Sequence, residues 1–194
     1  MAKIKQNRLI LAMDLSLSGS AFAVLQPCVN TVQIKELRFV DNDLPEIKGK
    51  THGEKLANIY FNLDDIIQKY PITDFVREKG FFRFPQATQA LYKVVGVVDF
   101  TLFCNNLKTN IEEIAPTLVK KLVTGNGKAD KADVEKAVRN YLSKSCRDVV
   151  FQTDDFSDAV AVGIAYCRKK NLIPEFTWDK KLRKERARRN EKEI

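Results

Sequence analysis

Histidine is almost absent from this chain. Among 194 residues there is one, His52. That excludes a Ser-His catalytic triad and a His-rich metal site, and leaves acid–base and metal chemistry to carboxylates and lysines. Cysteine is sparse and scattered: Cys28, Cys104, Cys146 and Cys167. No two have the close spacing of a zinc knuckle or a redox motif, so they read as reduced thiols in a reducing compartment. No stretch approaches the roughly 18 apolar residues of a membrane span. The apolar run at residues 9–13 is too short for a signal peptide, and Asp14 interrupts it. There is no internal repeat. The expectation is a soluble, cytoplasmic protein, from a bacterial cell or a phage-infected host.

Apolar residues make up 44% of the chain, enough to build a core without disulfides or structural metals. The formal charge is +8, the electrostatic footprint of a nucleic-acid binder. It is unevenly spread. Residues 168–194 hold eleven Lys/Arg against five Asp/Glu, a net of +6, and leave about +2 for the body. The reading is one domain over residues 1–170 and a basic C-terminal tail over residues 171–194. The tail is either a polyanion-attracting segment or a solvated, solubilising one.

Residues 9–13 form a continuous apolar run, as in a strand buried on both faces. Turn chemistry follows at residues 16–20, a second strand at 21–25 and a third, more exposed one at 32–40. Three such strands make an antiparallel meander. A polar loop spans 41–53. Helical spacing runs over 54–70, and Pro71 stops it. A strand at 72–77 ends at Glu78. Residues 85–106 read as a long apolar helix whose Gly96 suggests close packing against a neighbour. A short strand covers 109–114 and a short helix 118–123. Asp130 caps a helix running to Tyr141. Residues 155–167, rich in Ala and Val, read as a buried helix. The class is α/β with a mixed sheet flanked by helices.

Asp14 and Glu78 each end an apolar strand, and Asp155 and Asp158 stand at i and i+3 on one helix face. Each acid has an ordinary explanation, such as a helix cap or a solvated strand end. Together they converge if the strands pair and the helix crosses them. Clustered carboxylates repel unless a cation neutralises them, and oxygen donors without nitrogen suit Mg²⁺ or Mn²⁺.

Four segments in order resemble the RuvC family of Holliday junction resolvases. They are Leu9-Ile10-Leu11-Ala12-Met13-Asp14 with Ser18-Gly19-Ser20-Ala21 beyond it, then Arg77-Glu78-Lys79-Gly80-Phe81, then residues 115–131, and last Asp155-Phe156-Ser157-Asp158-Ala159. The third segment is the most specific. It joins Pro116, the Val119-Lys120 pair, a Gly-x-Gly loop and Lys131 in the family's order. The resemblance runs from about residue 8 to 169.

The resemblance implies an RNase H-like, five-stranded mixed sheet and metal-dependent cleavage of branched DNA by a homodimer. It implies Asp14, Glu78, Asp155 and Asp158 as ligands of two Mg²⁺ ions, with Mn²⁺ able to substitute. It implies Lys120 and Lys131 as phosphate-contacting or catalytic groups, with Lys79, Lys121 and Lys128 as further DNA contacts. Phe81 would be the aromatic that stacks on a base, with Phe82 and Phe84 as competitors. The chain departs from the family at Leu15-Ser16, where the family has Pro-Gly. Selectivity among four-way junctions, forks and flaps is left open. A non-catalytic branched-DNA-binding protein with the same fold is the alternative.

Overall fold

The computed structural model describes residues 8–80, 85–107, 110–151 and 153–174. Three strands open the chain: β1 (Ile10–Asp14), β2 (Gly19–Pro27) and β3 (Val32–Asp41). The helices α1 (Pro45–Lys48) and α2 (His52–Lys69) come next, then β4 (Asp74–Glu78), α3 (Pro85–Cys104) and β5 (Glu112–Ile114). The remaining helices are α4 (Pro116–Thr124), α5 (Lys131–Tyr141) and α6 (Asp154–Lys169), with a 3₁₀ turn at Lys144–Cys146.

The strands form one five-stranded sheet in the order β3-β2-β1-β4-β5. The meander β1-β2-β3 is antiparallel, while β4 joins β1, and β5 joins β4, in parallel. The RNase H-like architecture expected from the sequence is the one observed. Strand β1 is central, and its apolar run is buried on both faces as expected. Ile10 and Ala12 belong to the core beneath α4, α5 and α6. Leu11 and Met13 belong to the core beneath α2 and α3.

Local chemistry explains the ends of the helices. Thr51 and Glu54 make a capping box that starts α2. Asp130 accepts from the Asp133 amide at the start of α5, as its position predicts. Gly125 ends α4 with φ of 79°, a left-handed conformation that glycine adopts without strain. Helix α6 lies so close to the sheet that a Cβ on Gly163 would stand 2.2 Å from Leu25 Cδ1 and 3.0 Å from Ala12 Cβ.

Some details differ from expectation. Among the described residues of the chain Gly96 has no close neighbour: a Cβ there would meet no atom within 4 Å. Apolar periodicity shows that a helix has a face, not that the face is covered. The segment read as a loop at 41–53 contains α1, which Pro45 starts from its first position. Strand β4 begins at Asp74 rather than residue 72, because the Thr73 and Asp74 amides both turn to the Leu9 carbonyl. By length and composition, α3 is apolar enough to cross a membrane, which the sequence reading did not expect of any stretch. Here it packs Val94, Val98 and Leu102 into the core. Asp99 on α3 bonds Arg77 at 2.6 Å.

Candidate active site

The register of the parallel pair β1–β4 sets Met13 opposite Arg77. The next residues, Asp14 and Glu78, therefore end neighbouring strands side by side. Side chains alternate along a strand, so Asp14 shares the face of Ile10 and Ala12, and Glu78 that of Val76. All three apolar residues belong to the core under α6. Helix α6 thus brings its first turns to the same strand ends. One carboxylate oxygen each from Asp14, Asp155 and Asp158 lies within 4.8 Å of the others. Glu78 is outside that mutual group but close enough to feel the charges of Asp14 and Asp158.

This proximity has an electrostatic cost. Burial, then the charges of Asp158 and Asp155, push the Asp14 carboxyl up from 3.8 to about 6. Burial, then Asp14 and Asp158, push Glu78 up from 4.5 to about 7. Asp158 is raised as well, by burial and by Asp155 and Asp154, against the pull of Lys131. The cluster holds excess negative charge in partly desolvated space. Oxygen donors without histidine or thiolate are a donor set suited to a hard divalent cation.

Two lysines offset part of that charge. Lys120 on α4 donates to the Ala129 carbonyl at 2.8 Å, and its charge favours the ionised forms of Glu78 and Asp158. Lys131 opens α5 and sits 3.3 Å from Asp154 and 3.8 Å from Asp158. Both were named from sequence, and the fold brings both to the acids. Lys121 and Lys128 are exposed. Among the described residues neither pairs with an acid of the cluster. Lys79 is also exposed, one residue beyond Glu78, with its amide bonded to the Ile114 carbonyl. Phe81, Phe82 and Phe84 lie outside the described residues.

Sequence reasoning missed Asp154, the residue beside Asp155 that meets Lys131. The available signal was a third acid directly ahead of the i, i+3 pair. It also missed Arg77, nearly buried beside Glu78, which pairs with Asp99 and with Glu113 at 2.9 Å.

Comparison with known proteins decides the family. The model for "Crossover junction endodeoxyribonuclease RuvC" matches residues 10–166. A protein of that name from Ehrlichia ruminantium is 33% identical over 159 residues, which is 81% of this chain and 94% of that one. This chain belongs to the RuvC family. Another RuvC, from Brachyspira hyodysenteriae, is 31% identical over 140 residues, covering 70% of this chain and 82% of its own. The solved structure of Thermus thermophilus RuvC superposes with a TM-score of 0.72 at 15% identity, covering 84% of this chain and 96% of that one. Thermus RuvC in complex with Holliday junction substrate gives 0.71 at 17% identity, with the same coverage. The RuvC fold is thus shared across nearly the whole length of these relatives.

Proposed function

We propose that this chain is a structure-selective DNA endonuclease that cleaves Holliday junctions and related branched DNA by metal-dependent phosphodiester hydrolysis. The observation that carries the reading is the meeting of three carboxylate oxygens within 4.8 Å, flanked by Lys120 and Lys131, on a chain of the RuvC family. The names of the relatives point the same way.

Asp14, Glu78, Asp155 and Asp158 are the groups that would hold the metal. Mg²⁺, replaceable by Mn²⁺ and two ions per site, would supply an activated water and stabilise the leaving oxygen of the cleaved phosphodiester. The protein's own residues do the rest. Asp14, on the central strand, and the first turns of α6, a helix held against the sheet further along at Gly163, fix where the acids stand. Lys120, held by the Ala129 carbonyl, presents a fixed positive charge beside Glu78 for the non-bridging phosphate oxygens. Lys131 supplies a second, less restrained charge. Lys79, Lys121 and Lys128 are exposed cations that would follow the DNA backbone, and Phe81 is the candidate for stacking on a base.

We assign the working unit as a homodimer. Tyr92, Gly96 and Phe103 recur at spacings of four and seven on α3, and Phe100 flanks them. Tyr92, Phe100 and Phe103 are 53%, 61% and 76% exposed. An apolar stripe of this size on one helix face fits a protein partner, and the flat spot at Gly96 lets a second helix approach. Free cysteines throughout the described residues and bacterial relatives support a bacterial cytoplasm as the place of action.

The test is cleavage of labelled four-way, three-way, flap and duplex DNA with Mg²⁺. Asp14→Asn should lower the rate by about 1,000-fold or more while junction binding persists. A variant that still nicks at the full rate, or a wild-type chain that binds branched DNA without cutting it, overturns the nuclease reading. The second outcome leaves a binding protein.

A further inference from the structure

Asp154 stands in the first turn of α6 beside the ligand pair, but its carboxylate does not join the group of Asp14, Asp155 and Asp158. It meets Lys131 instead: Nζ donates to Asp154 Oδ2 at 3.3 Å. The same ammonium lies 3.8 Å from Asp158 Oδ2. Lys131 is therefore shared between one acid inside the cation site and one outside it.

The pair is open to water, with side chains 65% and 68% exposed. Such a pair is worth about 0–1 kcal/mol, so it ties little of the fold together. What it can do is decide where a flexible ammonium spends its time. A divalent cation held by Asp158 draws on that carboxylate's charge and repels Lys131. Asp154, which the cation cluster does not include, keeps its charge and its contact.

We infer that Asp154 is a positioning residue: it retains the Lys131 ammonium at the rim of the site once a cation has occupied Asp158. The charge then waits beside the scissile phosphate rather than swinging into solvent. This rests on the nuclease reading. Because the contact is weak, Lys131 can still leave Asp154 for a phosphate oxygen as negative charge builds there.

A plain structural role competes with this. Thr153, which caps α6, makes no side-chain capping bond, and an acid in the first turn favours a helix by about 0.3–1 kcal/mol. A double-mutant cycle on the full chain separates the two. Asp154→Asn should lower kcat for junction cleavage by about 2- to 5-fold, the most that so exposed a contact can supply, with KM within about two-fold. In a Lys131→Ala background the same substitution should cost nothing further, and Asp154→Glu should restore most of the rate. Without DNA, the Lys131 side-chain NMR signals should move more on adding Mg²⁺ in Asp154→Asn than in wild type, and equal shifts would overturn the inference. If Asp154→Asn costs the same factor in both backgrounds, it acts through α6 and the inference falls. If wild type cleaves and Asp154→Asn is inert, the inference falls while the nuclease reading stands. A wild-type chain that cleaves no branched DNA overturns the nuclease reading and this inference with it.

Discussion

Helices α6 and α3 look alike in sequence, two long apolar helices on opposite faces of one sheet, and the fold uses them in opposite ways. Eleven of the 16 residues of α6 are buried, against four of the 20 in α3. Helix α6 is rich in Ala and Val and has Gly163 where it touches the sheet, so its backbone sits close to β1 and β2. Helix α3 carries aromatics on its outer side. The difference separates two jobs. Helix α6 carries the candidate ligands Asp155 and Asp158, and the burial of most of its residues holds them in place. A helix that leaves its aromatics in water has apolar area still to cover.

Four expectations follow, from the largest effect to the smallest. The first breaks the tight side. Gly163→Ala places a methyl against Leu25 and Ala12, so the Leu25 side chain or α6 itself must shift. Overpacking of this kind costs about 1–3 kcal/mol. Denaturant unfolding should show the loss, and junction cleavage should fall with it because Asp155 and Asp158 move with the helix. Unchanged stability would mean that the sheet yields easily at this point.

The second tests the charge that the tight side stores. Asp14 and Glu78 have carboxyl groups raised to about 6 and about 7. The folded chain therefore holds protons that the unfolded chain releases. The resulting stabilisation is complete below the unfolded values of 3.8 and 4.5, and is lost as pH rises through 6 to 7. In EDTA, Tm should fall between pH 5 and pH 8. Mg²⁺ should recover several degrees at pH 8 by binding the ionised site. Asp14→Asn should shrink both effects. A Tm that climbs over this range without metal contradicts the assigned directions.

The third concerns the open side. Phe103→Glu should raise the dimer dissociation constant by about 10-fold or more, read by analytical ultracentrifugation. Unfolding of the dilute chain should change by no more than about 0.5 kcal/mol, because the side chain is a surface one. Undiminished dimerisation would move the interface elsewhere. The fourth is the mildest. Gly96→Ala, measured where the chain is monomeric, should stabilise it by roughly 0.5–1 kcal/mol, the ordinary gain for a helix interior. The same substitution would then have opposite signs on the two helices.

Much of this arrangement was legible in the sequence, for identifiable reasons. A run such as residues 9–13, short and apolar without alternation, reads as a strand covered on both faces, and Ile10–Met13 are fully buried in one. Asp155 and Asp158 at i and i+3 must share a helix face wherever that helix goes. Asp130 announced the start of α5 through its capping chemistry. Other features depend on partners distant in the chain, which periodicity does not report. Gly96 and Gly163 are both glycines inside helices, and sequence attached close packing to the wrong one. Asp154 sits beside two ligands, yet its contact is with a lysine on another helix. Glu78 ends its strand as expected, but how far it stands from the other acids is set by the offset between β4 and α6.

The acids come from widely separated parts of the chain: Asp14 and Glu78 from the sheet, Asp155 and Asp158 from the last helix in the core. A chain still being made, with residues 154–169 not yet emerged from the ribosome, lacks the helix that packs on one face of β1 and two of the four candidate ligands. The four acids can meet only once α6 has closed over the sheet, so the candidate site is among the last parts of the fold to be completed.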